Sequence, residues 1–78
     1  MGECYVSFSS ASEVMEFVSI ATRQYFPIQL EMDNLRTSAT SIMSIFAMGF
    51  NRPLRVVIAD SNADASLFFS QLAPYLVA

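Results

Sequence analysis

The chain has 78 residues, 54% of them hydrophobic, with four arginines, seven carboxylates, no lysine and no histidine, for a net charge of −3. That length and apolar content describe one packed domain, residues 1–78, and exclude a disordered chain. The acidic balance leaves no basic field to hold nucleic acid or an anionic membrane, and the lack of histidine removes the commonest general base and metal ligand. One cysteine, Cys4, cannot form an internal disulfide, so stability must come from the core, as suits a reducing cytoplasm. The start, Met1-Gly2-Glu3, lacks the basic and apolar regions of a signal peptide, and no apolar run reaches membrane-spanning length. The expectation is a cytoplasmic protein.

In chain order, residues 3–8 alternate, with Cys4, Val6 and Phe8 on one side, and read as a half-buried strand. Ser10-Ala11-Ser12-Glu13 has capping-box spacing, with Ser10 as the cap and Glu13 reaching back. Val14, Phe17, Val18, Ala21 and Tyr25 then form a helical stripe, closed by Pro27. Ile28, Leu30 and Met32 alternate with Gln29 and Glu31 in a second strand. Asp33-Asn34 predicts a tight turn into a third, Leu35 to Ala39. A short apolar helix follows from about Ser41 to Met48, with Gly49 as its terminating residue. Leu54 to Ala59, rich in β-branched residues, is the fourth strand. Ser61-Asn62-Ala63-Asp64 caps a last helix that turns Ala65, Phe68, Phe69, Leu72 and Leu76 inward, and Pro74 kinks it or ends it early.

The resulting order, β-α-β-β-α-β-α, predicts an α+β fold: an open-faced sandwich with a four-stranded, mainly antiparallel sheet and three helices on one face. Ferredoxin-like folds share most of that order, so it singles out no family. The expected core is Val6, Phe8, Phe17, Ile28, Leu30, Val56, Ile58, Phe69 and Leu72.

Several segments in register resemble HPr, the phosphocarrier protein of the bacterial sugar phosphotransferase system. They are Val14-Met15-Glu16-Phe17-Val18, Ser38-Ala39-Thr40-Ser41-Ile42-Met43, Met48-Gly49-Phe50, and the strand Val56-Val57-Ile58 with its acidic turn. The resemblance runs without gaps from about Ser10 to the C-terminus. It implies four strands backed by three helices. The family's motif, roughly Gly-Leu-His-Thr-Arg-Pro-Ala, carries phosphate on its histidine just before the first helix. In that register the histidine position holds Ser10, the arginine position Ser12 and the proline position Glu13, and the preceding loop is shortened. A helix N-terminus favours an anion. Here, however, Ser10 would occupy its N–H groups, and the Glu13 carboxylate would repel a phosphate. Serine forms no labile phosphoramidate, so carrier chemistry is expected to be lost from Ser10, Ser12 and Glu13.

Ser41 matches the serine that a dedicated kinase phosphorylates in many Gram-positive HPr proteins. It also sits where any helix wants an N-cap, worth about 1 kcal/mol, and the two roles are compatible. Ile42, Met43 and Phe46 match positions where HPr meets its partners. One stripe of this helix, Ile45 and Met48 with part of Ile42, must be core, so Met43 and Phe46 are either contact or core. Glu13 and Glu16, one turn apart, read as a solvated helix face.

Three functions fit: a regulatory or protein-binding module acting through the Ser41 helix, a phosphocarrier component with atypical chemistry, or a structural subunit that self-associates. By resemblance the partner is a phosphotransferase-system or regulatory protein. No nucleophile–base pair, metal cluster or glycine-rich phosphate loop is present, so no enzyme activity, cofactor or metal is expected.

Overall fold

In the computed structural model, residues 4–60 and 62–77 are described. Strand β1 spans Cys4–Val6, helix α1 Ala11–Thr22, β2 Ile28–Met32, β3 Leu35–Ser38, α2 Ile42–Met48, β4 Leu54–Ile58 and α3 Ser66–Gln71, followed by a 3-10 turn at Ala73–Tyr75. The predicted order holds. The expected strand start at residue 3, the Met1-Gly2-Glu3 reading and the role of Ser61 as a cap fall outside the described residues.

The sheet runs β1-β4-β2-β3, every neighbouring pair antiparallel. β1 and β2 are therefore parallel to each other with β4 between them, a split βαβ unit around α1. Alternation fixes the register. Cys4 and Leu30 both pair with Val56, Val6 pairs with Leu54, and Ile28 pairs with Ile58, so these side chains share the face that the helices cover. The opposite face carries Tyr5, Gln29, Glu31, Arg36, Arg55 and Val57 and is left open.

The core joins this sheet face to an aromatic cluster. Phe17 is fully buried at its centre, with ring centroids 5.2 Å from Phe8, 6.3 Å from Phe68 and 6.4 Å from Tyr75. Burying each such side chain contributes about 1.5–3 kcal/mol, and the tilted and edge-on ring pairs add about 0.5–1.5 kcal/mol each. Of the expected core, Val6, Phe8, Phe17, Ile28, Leu30, Val56 and Leu72 are buried, while Ile58 and Phe69 are only half-buried. Phe68 takes the deep position in α3 instead.

Other expectations shift at element ends. Helix α1 stops at Thr22, so Tyr25 leaves the stripe and is 78% exposed, and Phe26 is buried in its place. β1 ends at Val6 and Phe8 lies in a loop, held by its N–H donating to the Phe50 carbonyl at 2.9 Å. β3 ends at Ser38 and β4 at Ile58, each one residue short of expectation. α3 begins at Ser66, with Asp64 accepting the Ser66 N–H at 3.2 Å. Pro74 sits in the 3-10 turn that ends the helix, so Leu76 is extended and exposed rather than inward. The turn between β2 and β3 is the expected Asp33-Asn34, with Asp33 in the left-handed region at φ 55°. Gly49 ends α2 at φ 93°, a conformation that a Cβ would strain even though open space surrounds it.

The last described residues form a strap along the outer edge of β1. Ser7 N–H donates to the Tyr75 carbonyl at 2.9 Å, Val77 N–H donates to the Tyr5 carbonyl at 3.0 Å, and Leu76 bridges Val6. The free edge among the described strands is thus β3.

Candidate functional site

Two helix starts carry the sequence-predicted residues. At α1, Ser10 is extended (φ −155°, ψ 162°) and its hydroxyl accepts the Glu13 N–H at 3.2 Å. The Glu13 carboxylate accepts the Ser9 N–H at 2.9 Å, one residue beyond the Ser10 N–H that a standard capping box would use. Ser12 is exposed. The trio Ser10, Ser12 and Glu13 is therefore together on one turn, but two backbone donors there are already satisfied and the turn carries a negative charge. A phosphoryl group brought to this turn would meet the Glu13 carboxylate, a like-charge contact.

At α2, Ser41 holds the N-cap place with extended backbone (φ −100°, ψ 93°), but its hydroxyl makes no bond to a backbone N–H. It donates instead to Ser44 Oγ at 3.0 Å. This corrects the capping role expected for Ser41: the position is right and the bond is absent. At about 100° per residue, Ile45 and Met48 point into the core and are buried. Met43, on the outer side, is 76% exposed. Ile42 and Phe46 lie on a flank, half-buried and packed against the core, with the Phe46 ring 5.7 Å from Phe50. Ile42, Met43 and Phe46 are thus one outward residue beside two partly covered ones. The Phe8–Phe50 bond pins the loop entering α1 to the loop leaving α2, and α1 packs on α2.

Two constellations lay beyond sequence reasoning. The Tyr75 hydroxyl donates to Glu16 Oε1 at 2.8 Å, across 59 residues of chain, so Glu16 is not simply solvated. Burial first, then the bond to Glu16 and its charge, push the phenol up to about 12. On the open sheet face, Glu31 bridges Arg36 at 2.5 Å and Arg55 at 3.2 Å. Both pairings depend on register, which no local pattern supplies. Elsewhere, burial pushes the Cys4 thiol up, and hydrogen bonds from Ser66 hold the Asp64 carboxyl below its ordinary value.

Among the described residues, no group of three or more His, Cys, Asp or Glu side chains is placed to hold a metal ion, and no helix is long and apolar enough to cross a membrane. A surface groove of about 240 Å³ lies between β3 and α2, lined by Leu35, Arg36, Thr37, Ser44, Ala47 and Met48. Comparison with protein-family models, with curated proteins and with solved structures finds no match to the chain.

Proposed function

We propose that this domain is an HPr-like regulatory module of the cytoplasm that binds a protein partner through helix α2 and does not carry phosphate on a histidine. The observation that carries the reading is Met43, 76% exposed on a helix whose inner side is locked by Ile45 and Met48. A methionine held outward on a fixed helix is an adaptable contact residue. Ile42 and Phe46 support it from the flank. The partner is a protein, not a nucleic acid or a membrane, in keeping with the chain's negative charge. The open-faced α+β layout and the segment-by-segment likeness favour the HPr reading. The capped first turn of α1, with its Glu13 carboxylate and no histidine in the chain, favours loss of carrier chemistry.

Ser41 is the regulatory position in this proposal. Its hydroxyl is engaged only with Ser44, so modification there breaks no backbone cap. The added charge falls beside Met43 and alters the contact surface directly.

Intact-mass analysis tests both halves. Incubation with Enzyme I and phosphoenolpyruvate should add no acid-labile phosphate, and a labile phosphorylated species would overturn the loss of carrier chemistry. Incubation with HPr kinase and ATP should add one acid-stable phosphate that Ser41→Ala abolishes. No modification by the kinase would remove Ser41 from the proposal.

A further inference from the structure

We propose a second docking surface, independent of the Met43 face: the β3 edge accepts an extended, acidic segment of a partner protein as a fifth strand. The argument starts from the open sheet face. Tyr5 pairs with Arg55, Arg55 with Glu31, and Glu31 with Arg36, so one row of side chains crosses all four strands. Its charges alternate, and both ion pairs are made. The row ends at the edge on Arg36, whose side chain is 62% exposed. The next place in the row belongs to an added strand, and directly opposed opposite charges stabilise a cross-strand pair. An aspartate or glutamate fits there. A second copy of β3 does not, because a symmetric antiparallel pairing centred on Arg36 sets arginine against arginine.

The backbone is turned the right way. A two-residue hairpin closes on a hydrogen-bonded pair, here Met32 with Leu35, and the bonding alternates along the ladder. Ala39 N–H donating to the Ile28 carbonyl at 2.9 Å keeps that phase. Residues 35, 37 and 39 therefore bond inward, and Arg36 presents its N–H and C=O outward. The Ser38 carbonyl shares that outward phase and already receives the Ser41 N–H at 3.2 Å, so the accessible stretch is short and centred on Arg36.

The other face of the edge supplies the apolar half. Leu35 pairs with buried Met32 yet is itself 52% exposed, because no element among the described residues covers the sheet beyond it. The small side chains of Ser44 and Ala47 leave the groove between β3 and α2 open. Residues flanking the acid on an added strand would point into this groove. The occupant is an extended segment with an apolar–acidic–apolar alternation, bound by strand addition. Among the described residues, Arg36 is the one charged residue lining the groove.

The probe is a capped peptide, acetyl-Thr-Val-Glu-Val-Thr-amide, and its lysine counterpart, titrated into the folded protein and followed by backbone amide resonances. The glutamate peptide should shift the amides of Arg36 and of the groove residues Ser44 and Ala47, slow hydrogen exchange at Arg36, and bind roughly two- to fivefold tighter than the lysine peptide. Arg36→Gln should erase that preference and Arg36→Glu should invert it, with unchanged Asp33 and Asn34 turn resonances reporting an intact hairpin. Equal binding of the two peptides, shifts confined to Met43 and Phe46, or no shift at millimolar peptide would overturn the proposal. None of those outcomes bears on phosphorylation at Ser41.

Discussion

Helices α1 and α2 each begin one residue after a serine, and the two serines are used differently. Ser10 accepts the Glu13 N–H while Glu13 accepts the Ser9 N–H, so the start of α1 is closed by its own side chains. Ser41 bonds only to Ser44 Oγ, and the first turn of α2 receives no side-chain cap. The contrast extends to the helix bodies. α1 buries Val14, Phe17, Val18 and Ala21 along 12 residues, whereas α2 buries two side chains in seven. A side-chain-capped, deeply seated helix is a structural member. A short helix without a side-chain N-cap, holding a methionine outward, is held mainly by its packing.

The comparison can be broken at its strongest point first. Phe17→Ala empties the centre of the aromatic cluster and should cost about 3–5 kcal/mol, a large part of the stability of a small domain. A thermal melt that retained most of its cooperativity and midpoint would show that α1 is not the member that holds the core.

Next in size is Tyr75→Phe, which cuts the tie from the C-terminal turn to α1. Losing this one part-buried hydrogen bond should cost about 1 kcal/mol, because Glu16 can turn to water once it is released. The pH dependence is more specific. The phenol's folded value of about 12 lies above the ordinary 10, so its contribution is fully present below pH 10 and is lost as pH rises towards 12. Denaturant midpoints measured up that window should fall for the native chain and stay flatter for Tyr75→Phe. Tyr5 and Tyr25, both exposed, are present in both proteins and cancel.

The serines give the direct contrast. Ser10→Ala should cost about 1 kcal/mol, the usual loss of a bonded cap. Ser41→Ala should stay within about 0.5 kcal/mol, as for a surface change that removes no backbone bond. Equal losses in urea titrations would mean that Ser41 caps α2 in solution. The smallest effect is expected for Met43→Glu, also within about 0.5 kcal/mol. Loss of cooperative melting there would mean that Met43 is core, because an unpaired buried charge cannot be tolerated.

Much of the frame was legible because it is periodic. Ile28, Leu30 and Met32 alternate with polar residues and are all buried, and Val14, Phe17, Val18 and Ala21 fall on the buried side of α1. Errors gathered where periodicity was carried past an element's end. Tyr25 continues the α1 stripe on paper, but the helix stops at Thr22, so its side chain points elsewhere. Leu76 continues the α3 stripe, but Pro74 ends the helix and the chain turns back along β1. For the candidate site, the crowding of Ser10 and Glu13 was readable from capping-box spacing. The bond from the Ser41 hydroxyl to Ser44 was not, because the choice between a backbone N–H and Ser44 depends on the local backbone angle. The Arg55–Glu31–Arg36 row was equally hidden, since its members come together only through strand register.

The strap along β1 has a consequence for stoichiometry. Lateral growth of a β-sheet requires two ends, one to donate and one to receive. Here the Tyr75–Val77 segment occupies one end, leaving β3 as the other. Among the described residues, the backbone of β1 is thus already engaged by this segment, while that of β3 is not paired to a further strand. If β3 takes up a strand as proposed, the same addition cannot repeat on the backbone of β1, so the two sides of the sheet are not equivalent.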